Sequence, residues 1–200
     1  MSQAAVIAAF PQAENALHSY AQWLITAGVE RGIIGPREAD RVWDRHISNC
    51  AAMAELLPQD SHTVDIGSGA GLPGLVLGIV RPDVKVTLIE PLQRRCDFLN
   101  EVINDLGIAD RVKVVRGRAQ DSKGINADVV TARAVAPLGK LLTWALPLTR
   151  KGGEVLAMKG ASAEQEILAA ESVLSGRNAE IVRCGQGIVE PLTTVVRVVS

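Results

Sequence analysis

Three glycines, Gly67, Gly69 and Gly71, follow an acid, Asp65, in the run Val64-Asp-Ile-Gly-Ser-Gly-Ala-Gly-Leu-Pro-Gly74. Glycine admits positive φ and lets the backbone come close to a ligand. The apolar residues before the acid read as a strand, and Pro73 suits the first turn of a helix, where its missing N–H costs nothing. A ligand is therefore expected across the carboxyl end of that strand. Gly69-Ala-Gly71-Leu-Pro-Gly74 also fits the dinucleotide pattern G-x-G-x-x-G. A pyrophosphate, however, favours bare N–H groups at the positive end of a helix, and Asp65 would repel it. A cationic ligand gains from the same carboxylate. S-adenosylmethionine (SAM) carries an ammonium and a sulfonium and no phosphate, so the order of acid and glycines favours SAM over NAD, with Asp65 and Gly69 as contacts.

Further candidates stand where later strands end. Glu90 lies about 20 residues beyond the glycine turn, the place from which a carboxylate accepts both hydroxyls of a ribose. In Gly117-Arg-Ala-Gln-Asp121, either Gln120 or Asp121 could hold an adenine ring beside a backbone N–H. Arg133, in Thr131-Ala-Arg-Ala-Val-Ala-Pro137, is the candidate catalytic residue. Its planar fork could take the SAM carboxylate, a substrate phosphate or the target base. Lys159 sits at the same rim and could meet an RNA phosphate as a point charge.

Two absences narrow the acceptor. No Asn/Asp-Pro-Pro-aromatic run follows the fourth strand, where amino-methylating adenine enzymes often carry one. None of Cys50, Cys96 and Cys184 is placed as the nucleophile that carbon methylation of a pyrimidine needs. An acceptor with its own in-plane lone pair, such as guanine N7, needs neither device. Catalysis would then consist of alignment and desolvation.

These residues need elements to position them. The first 60 residues read as helical: Phe10, Ala13, Leu17, Tyr20, Ala21 and Leu24 recur at helical spacing, and 37–57 forms a second helical region closed by Pro58. From residue 61 short β-branched runs alternate with helices. Strands are expected at 63–66, 84–89, 112–115, 128–131, 154–158, 180–182 and 194–199, and helices at 73–80, 93–106, 137–148 and 163–174. The alternation implies a mainly parallel sheet covered on both faces. The short link Gly185-Gln-Gly187 leaves no room for a crossover helix, so the last two strands should form an antiparallel hairpin. The expected fold is α/β: a class I SAM-dependent methyltransferase, Rossmann-like, with a seven-stranded mixed sheet whose last strand is antiparallel. One domain spans 1–200, with a helical N-terminal extension at 1–60 and a SAM-binding core at 61–200.

At 200 residues the chain can bury a core, and its net charge of −1 creates no global field for nucleic acid, so RNA binding must come from local patches. No apolar run reaches membrane-spanning length, and the first residues lack the basic start of a secretory signal. The cysteines form no C-x-x-C pair, which suits a reducing cytoplasm and suggests no metal site. No membrane partner is expected.

Taken together, these residues resemble the glucose-inhibited division protein B family, also called small-subunit rRNA methyltransferase G. The likeness runs from about Gly35 to the carboxyl terminus. It rests on Trp43-Asp-Arg-His-Ile-Ser-Asn49, the glycine turn, Glu90-Pro-Leu-Gln-Arg-Arg95, Arg116-Gly-Arg-Ala-Gln120 and Arg133-Ala-Val-Ala136. It implies methyl transfer from SAM to N7 of a guanine in 16S rRNA of the small ribosomal subunit or its assembly intermediate; a cytoplasmic monomer is expected. It also implies SAM contacts at Gly67, Leu72, Ala119, Gln120 and Arg133, and places Arg45 and His46 in an amino-terminal motif that faces RNA. Where the family usually has Ala-Glu, this chain has Ala119-Gln120. The alternatives are an NAD-dependent oxidoreductase and a non-catalytic SAM- or RNA-binding module.

Overall fold

The computed structural model describes residues 2–122 and 124–200. Seven strands, β1 (His62–Ile66), β2 (Lys85–Glu90), β3 (Val112–Arg116), β4 (Ala127–Arg133), β5 (Thr149–Lys159), β6 (Ala179–Cys184) and β7 (Thr193–Val199), form one sheet in the order β3-β2-β1-β4-β5-β7-β6. The pairs among β1 to β5 are parallel, and β7 runs antiparallel to both β5 and β6. The strand order reverses between β1 and β4. Open α/β sheets bind their ligands at that point.

Eight α-helices accompany the strands among the described residues: α1 (Ser2–Ala9), α2 (Glu14–Trp23), α3 (Ser48–Ala52), α4 (Gly74–Val80), α5 (Gln93–Asp105), α6 (Leu138–Ala145), α7 (Ala163–Ala169) and α8 (Glu171–Leu174). Side-chain alternation along the strands sends residues into two cores. Leu88, Val129, Leu156 and Val195 pack with Phe98 and Leu99 of α5, Leu75 and Leu77 of α4, and Leu17, Tyr20 and Leu24 of the amino-terminal region. Val64, Ile66, Val130 and Val196 pack with Leu138, Leu141 and Leu142 of α6 and with Ala170 and Leu174 beyond it. Each fully buried leucine or phenylalanine contributes about 1.5–3 kcal/mol. Phe98→Ala would leave a hole beneath α2 and α5 and cost about 3–5 kcal/mol. Among the described residues, no helix is long and apolar enough to cross a membrane.

Several boundaries differ from the expected ones. The helix expected from Pro73 begins at Gly74, with Pro73 as its cap. Gly74 lets α4 meet the sheet closely: a Cβ there would stand 2.5 Å from Leu88 Cδ2 and 2.6 Å from Asp65 Cβ. The helix expected at 137–148 stops at Ala145, because Pro147 lacks the N–H a further α-turn needs, and closes in a 3-10 turn at Leu146–Leu148. The 163–174 helix divides at Ala170. β5 starts five residues early, its register against β4 shifting between Ala127 and Val129. Gly153 there packs so tightly that a Cβ would lie 2.8 Å from the Asp128 carbonyl oxygen.

Residues expected as one helix at 37–57 wind unevenly: a 3-10 turn at Pro36–Arg41, a π-helical turn at Val42–Ile47, then α3 and a 3-10 turn at Met53–Leu56. Polar side chains explain the wide turn. Ser48 Oγ donates to the Trp43 carbonyl at 2.7 Å, and Asn49 Nδ2 to the Asp44 and Arg45 carbonyls, each at 3.2 Å. Side-chain donors thus take carbonyls that an α-helix would occupy, a competition typical of serine and asparagine. Such widened turns often occur at functional sites, and this one carries Arg45 and His46.

Candidate active site

The glycine turn leaves β1 with φ of +66°, +60° and +101° at Gly67, Gly69 and Gly71. The Gly67 and Ser68 amides donate back to the Ile89 carbonyl at 2.8 and 3.2 Å, tying the turn to β2. Beneath it, the Tyr20 hydroxyl donates to the Ala70 carbonyl at 2.8 Å. Burial raises the Tyr20 pKa well above 10.0, so the hydroxyl stays a donor. Glu90, almost fully buried at the end of β2, accepts the Gly69 amide through Oε2 and the Leu92 amide through Oε1, both at 2.9 Å. Arg95 Nη1 approaches the same carboxylate at 3.8 Å. Glu90 thus shapes the turn while lining the cleft.

Asp65 corrects an expectation. Its carboxylate was expected to face the ligand, but it points the other way, into the start of α4. Oδ2 accepts the Gly74 amide at 3.0 Å, and Oδ1 is buried without a hydrogen-bond partner. Desolvation pushes its pKa up to about 7. The acid is a strut under the turn.

Three hollows lie side by side along the strand tips, and Val135 lines all of them. The first is a narrow slot of about 320 Å³ between Ile66, Ile89, Pro91, Val135 and Trp144, edged by Ala119 and Gln120 on the 3-10 turn Ala119–Asp121. The second, about 570 Å³, lies over Gly67, Gly69, Leu72, Glu90, Arg95 and Arg133. The third, about 850 Å³, opens outward between Arg45, Asn49, Arg133, Lys159 and Glu166. Arg133 lines both the second and the third. The expected residues Gly67, Gly69, Leu72, Glu90, Ala119, Gln120 and Arg133 therefore line two adjoining hollows of one cleft region, with Asp65 behind them.

The three residues expected to face RNA differ in placement. Arg45 is exposed and pairs with Glu38 at 3.2 Å. His46 turns inward: its Nδ1 lies 2.6 Å from Arg133 Nη2 and its Nε2 2.7 Å from Glu38 Oε2. Lys159 is not the free point charge that was expected. It donates to the Ala136 carbonyl at 2.8 Å and to Glu166 at 2.7 Å, while Glu166 also accepts the Leu138 amide at 2.8 Å. The two charges brace the loop that carries Val135, in which Ala134 adopts φ +54°.

Sequence reasoning missed Tyr20, Trp144, Glu38 and Glu166. Trp144 had a weak signal in Lys140 one helical turn earlier, whose ammonium sits 5.4 Å from the ring centroid. Tyr20 acts on Ala70, 50 residues on, while Glu38 and Glu166 act on His46 and Lys159, eight and seven residues away, across a change of element that helical spacing does not mark.

SAM fits the cleft. The Gly69 Cα faces it, since a Cβ there would meet nothing nearer than the Gly67 carbonyl oxygen at 3.8 Å. The slot is lined mainly by apolar side chains and edged by the polar Gln120, as a purine requires. No phosphate cradle forms, because the Gly69 amide already donates to Glu90. The description of the GidB family, rRNA small subunit methyltransferase G, matches residues 13–188. The chain belongs to this family. It is 53% identical over 190 residues to "Ribosomal RNA small subunit methyltransferase G" of Salinispora tropica, spanning 90% of this chain and 78% of that protein. The protein of the same name from Thermobifida fusca is 55% identical over 183 residues, covering 90% and 77%. Solved structures share the fold. A SAM dependent methyltransferase from Aquifex aeolicus superposes with a TM-score of 0.61 at 16% identity, over 83% of this chain and 98% of that one. P. horikoshii TYW2 in complex with MeSAdo gives 0.57 at 19% identity, over 77% and 62%. Membership of the rRNA methyltransferase G family favours the methyltransferase reading over the dehydrogenase alternative.

Proposed function

We propose that this chain transfers the methyl group of SAM to N7 of a guanine in 16S rRNA of the small ribosomal subunit or its assembly intermediate. The observation that carries this reading is the junction at Arg133 and Val135, where the cofactor cleft opens into a basic hollow facing solvent. When bound, SAM supplies an electrophilic methyl on its sulfonium. The residues of this chain hold and orient. Ile66, Ile89, Pro91 and Trp144 would clasp the adenine, with Gln120 at its polar edge. The carboxylate of Glu90, already aimed by two backbone amides, would accept ribose hydroxyls. The glycine turn leaves room for the amino-acid tail beside Leu72 and Arg95.

The outer hollow holds no free base. Glu166, the one carboxylate among its described lining residues, is committed to Lys159 and the Leu138 amide. Methylation of an sp² nitrogen releases no proton in the step, so alignment and water exclusion suffice. Arg133 and Arg45 offer planar forks for phosphate or base. Exposed Arg118 beside the slot extends the basic rim. Action as a cytoplasmic monomer belongs to the same proposal.

The test is methyl transfer from labelled SAM to small-subunit rRNA, with the modified base mapped. Label at a guanine N7 is expected. Label on a carbon or an exocyclic amine, or none, would overturn the reading.

A further inference from the structure

Arg133 stands between the two halves of the cleft, and something must hold its long side chain there. Its Nη2 meets His46 Nδ1 at 2.6 Å, and its Nη1 meets Cys50 Sγ at 3.5 Å. A guanidinium has only donors. His46 Nδ1 must therefore offer its lone pair, which puts the ring hydrogen on Nε2. That nitrogen lies 2.7 Å from Glu38 Oε2, a pure acceptor when ionised. The other Glu38 oxygen accepts from Arg45 Nη1 at 3.2 Å. A carboxylate on one 3-10 turn thus sets which ring nitrogen of His46 is free, and that nitrogen sets the guanidinium. Only 10% of the His46 side chain is exposed, which suits a buried relay and not a direct RNA contact.

We propose that Glu38 and His46 are positioning residues for methyl transfer: Glu38 locks His46 as the neutral Nε2–H tautomer, and His46 Nδ1 fixes Arg133 at the junction of donor cleft and acceptor hollow. This rests on the function proposed above. The relay works only with a neutral ring, because an imidazolium would set a second N–H against the guanidinium. Burial, followed by the Arg133 charge, lowers the His46 pKa from 6.5. The charges facing the ring are Arg133, Glu38 and Arg45. Around Arg133 stand the Cys50 thiol, raised by burial to about 11, the Tyr20 hydroxyl, also raised by burial, and Asp65. The thiol and hydroxyl stay neutral near pH 7. Asp65 titrates in the same range as turnover is measured, so His46 must be observed directly.

The chain contains three histidines, so ¹⁵N-histidine NMR resolves each ring, and His46→Gln assigns the signal. The expected wild-type result is the Nε2–H tautomer through neutral pH, with a protonation midpoint below that of free imidazole. Glu38→Gln, at a partly exposed position, should mix the tautomers and lower kcat about tenfold while KM for SAM moves less than about twofold, the scale for losing an orienting partner. His46→Gln, whose amide oxygen can still accept from Arg133, should retain about tenfold more activity than His46→Leu. An Nδ1–H tautomer in the wild type, or an unchanged tautomer and kcat in Glu38→Gln, overturns the relay. If the wild type shows the Nε2–H ring but methylates no small-subunit RNA, the proposed function fails and takes the relay's catalytic role with it, and the NMR result tells the two failures apart.

Discussion

Replacing Asp65 by asparagine isolates the cost of ionising a carboxyl sealed beneath the glycine turn. Asp65 is fully buried, one oxygen holds the Gly74 amide at 3.0 Å, and the other has no partner. Desolvation raises its pKa from 3.8 to about 7. In the unfolded chain it ionises near the lower value, so between the two the folded protein keeps a proton that the unfolded chain has lost. Stability contributed by this group is full below pH 3.8, falls as pH rises, and levels off above about 7. The interval from 3.8 to about 7, at about 1.4 kcal/mol per pH unit, amounts to about 4 kcal/mol. That is a large share of the roughly 5–15 kcal/mol that stabilises a typical domain. Asparagine keeps an oxygen for Gly74 and cannot ionise. Urea denaturation of both proteins from about pH 4 to about pH 8 should show the variant gaining on the wild type by about 4 kcal/mol across the range. Taking the difference at each pH removes groups that titrate oppositely, such as Asp83, which its bond to Arg81 pulls down to about 2, and Asp128, held down by the His62 amide. A difference that stays flat would show that Asp65 is ionised in the folded protein throughout, and would refute the reasoning.

Other changes address the cleft directly. Gly69→Asp should abolish SAM binding in a calorimetric titration while circular dichroism stays native, because the new carboxylate projects into the cleft beside Glu90 from a backbone already at φ +60°; unchanged affinity would contradict the placement of the site. Trp144→Ala removes a wall of the slot and should weaken SAM about tenfold, or about 1.4 kcal/mol, with thermal shift on SAM addition as the readout. Arg133→Ala should cut methyl transfer about 100-fold, equivalent to about 2.7 kcal/mol of barrier, with the melting temperature little changed; wild-type turnover would make the arginine structural.

The sheet and the glycine turn were legible because both are local. β-branched runs separated by helical stretches encode the strands one element at a time, and Gly67, Gly69 and Gly71 carry positive φ wherever the rest of the chain lies. The short link at 185–192, opened by Gly185 and Gly187, is likewise too short for a crossover helix and so left β6 and β7 as an antiparallel hairpin. Where a motif was read for direction and not only for place, locality failed. Asp65 and Lys159 stand at the strand ends, as expected, but Asp65 satisfies the Gly74 amide, and Lys159 satisfies Ala136 and Glu166. A charge near low-dielectric walls binds the nearest complementary group, and sequence spacing does not say which group that is.

Periodicity and turn residues determined the α/β architecture and the position of the glycine turn, since these follow from backbone propensity and side-chain alternation over a few residues, whereas the likeness to the methyltransferase family, not composition or periodicity, added Leu72 and Ala119 to the residues expected around the cleft. Tertiary structure alone decided which of them face the cleft. It brought Tyr20 under Ala70, aligned Glu38, His46 and Arg133 through hydrogen bonds of 2.6 and 2.7 Å, and closed the slot with Trp144. The Tyr20 and Arg133 pairings join residues far apart in the chain, and their directions are set by burial, which forces every polar group taken from water to find a partner wherever the packed elements leave one.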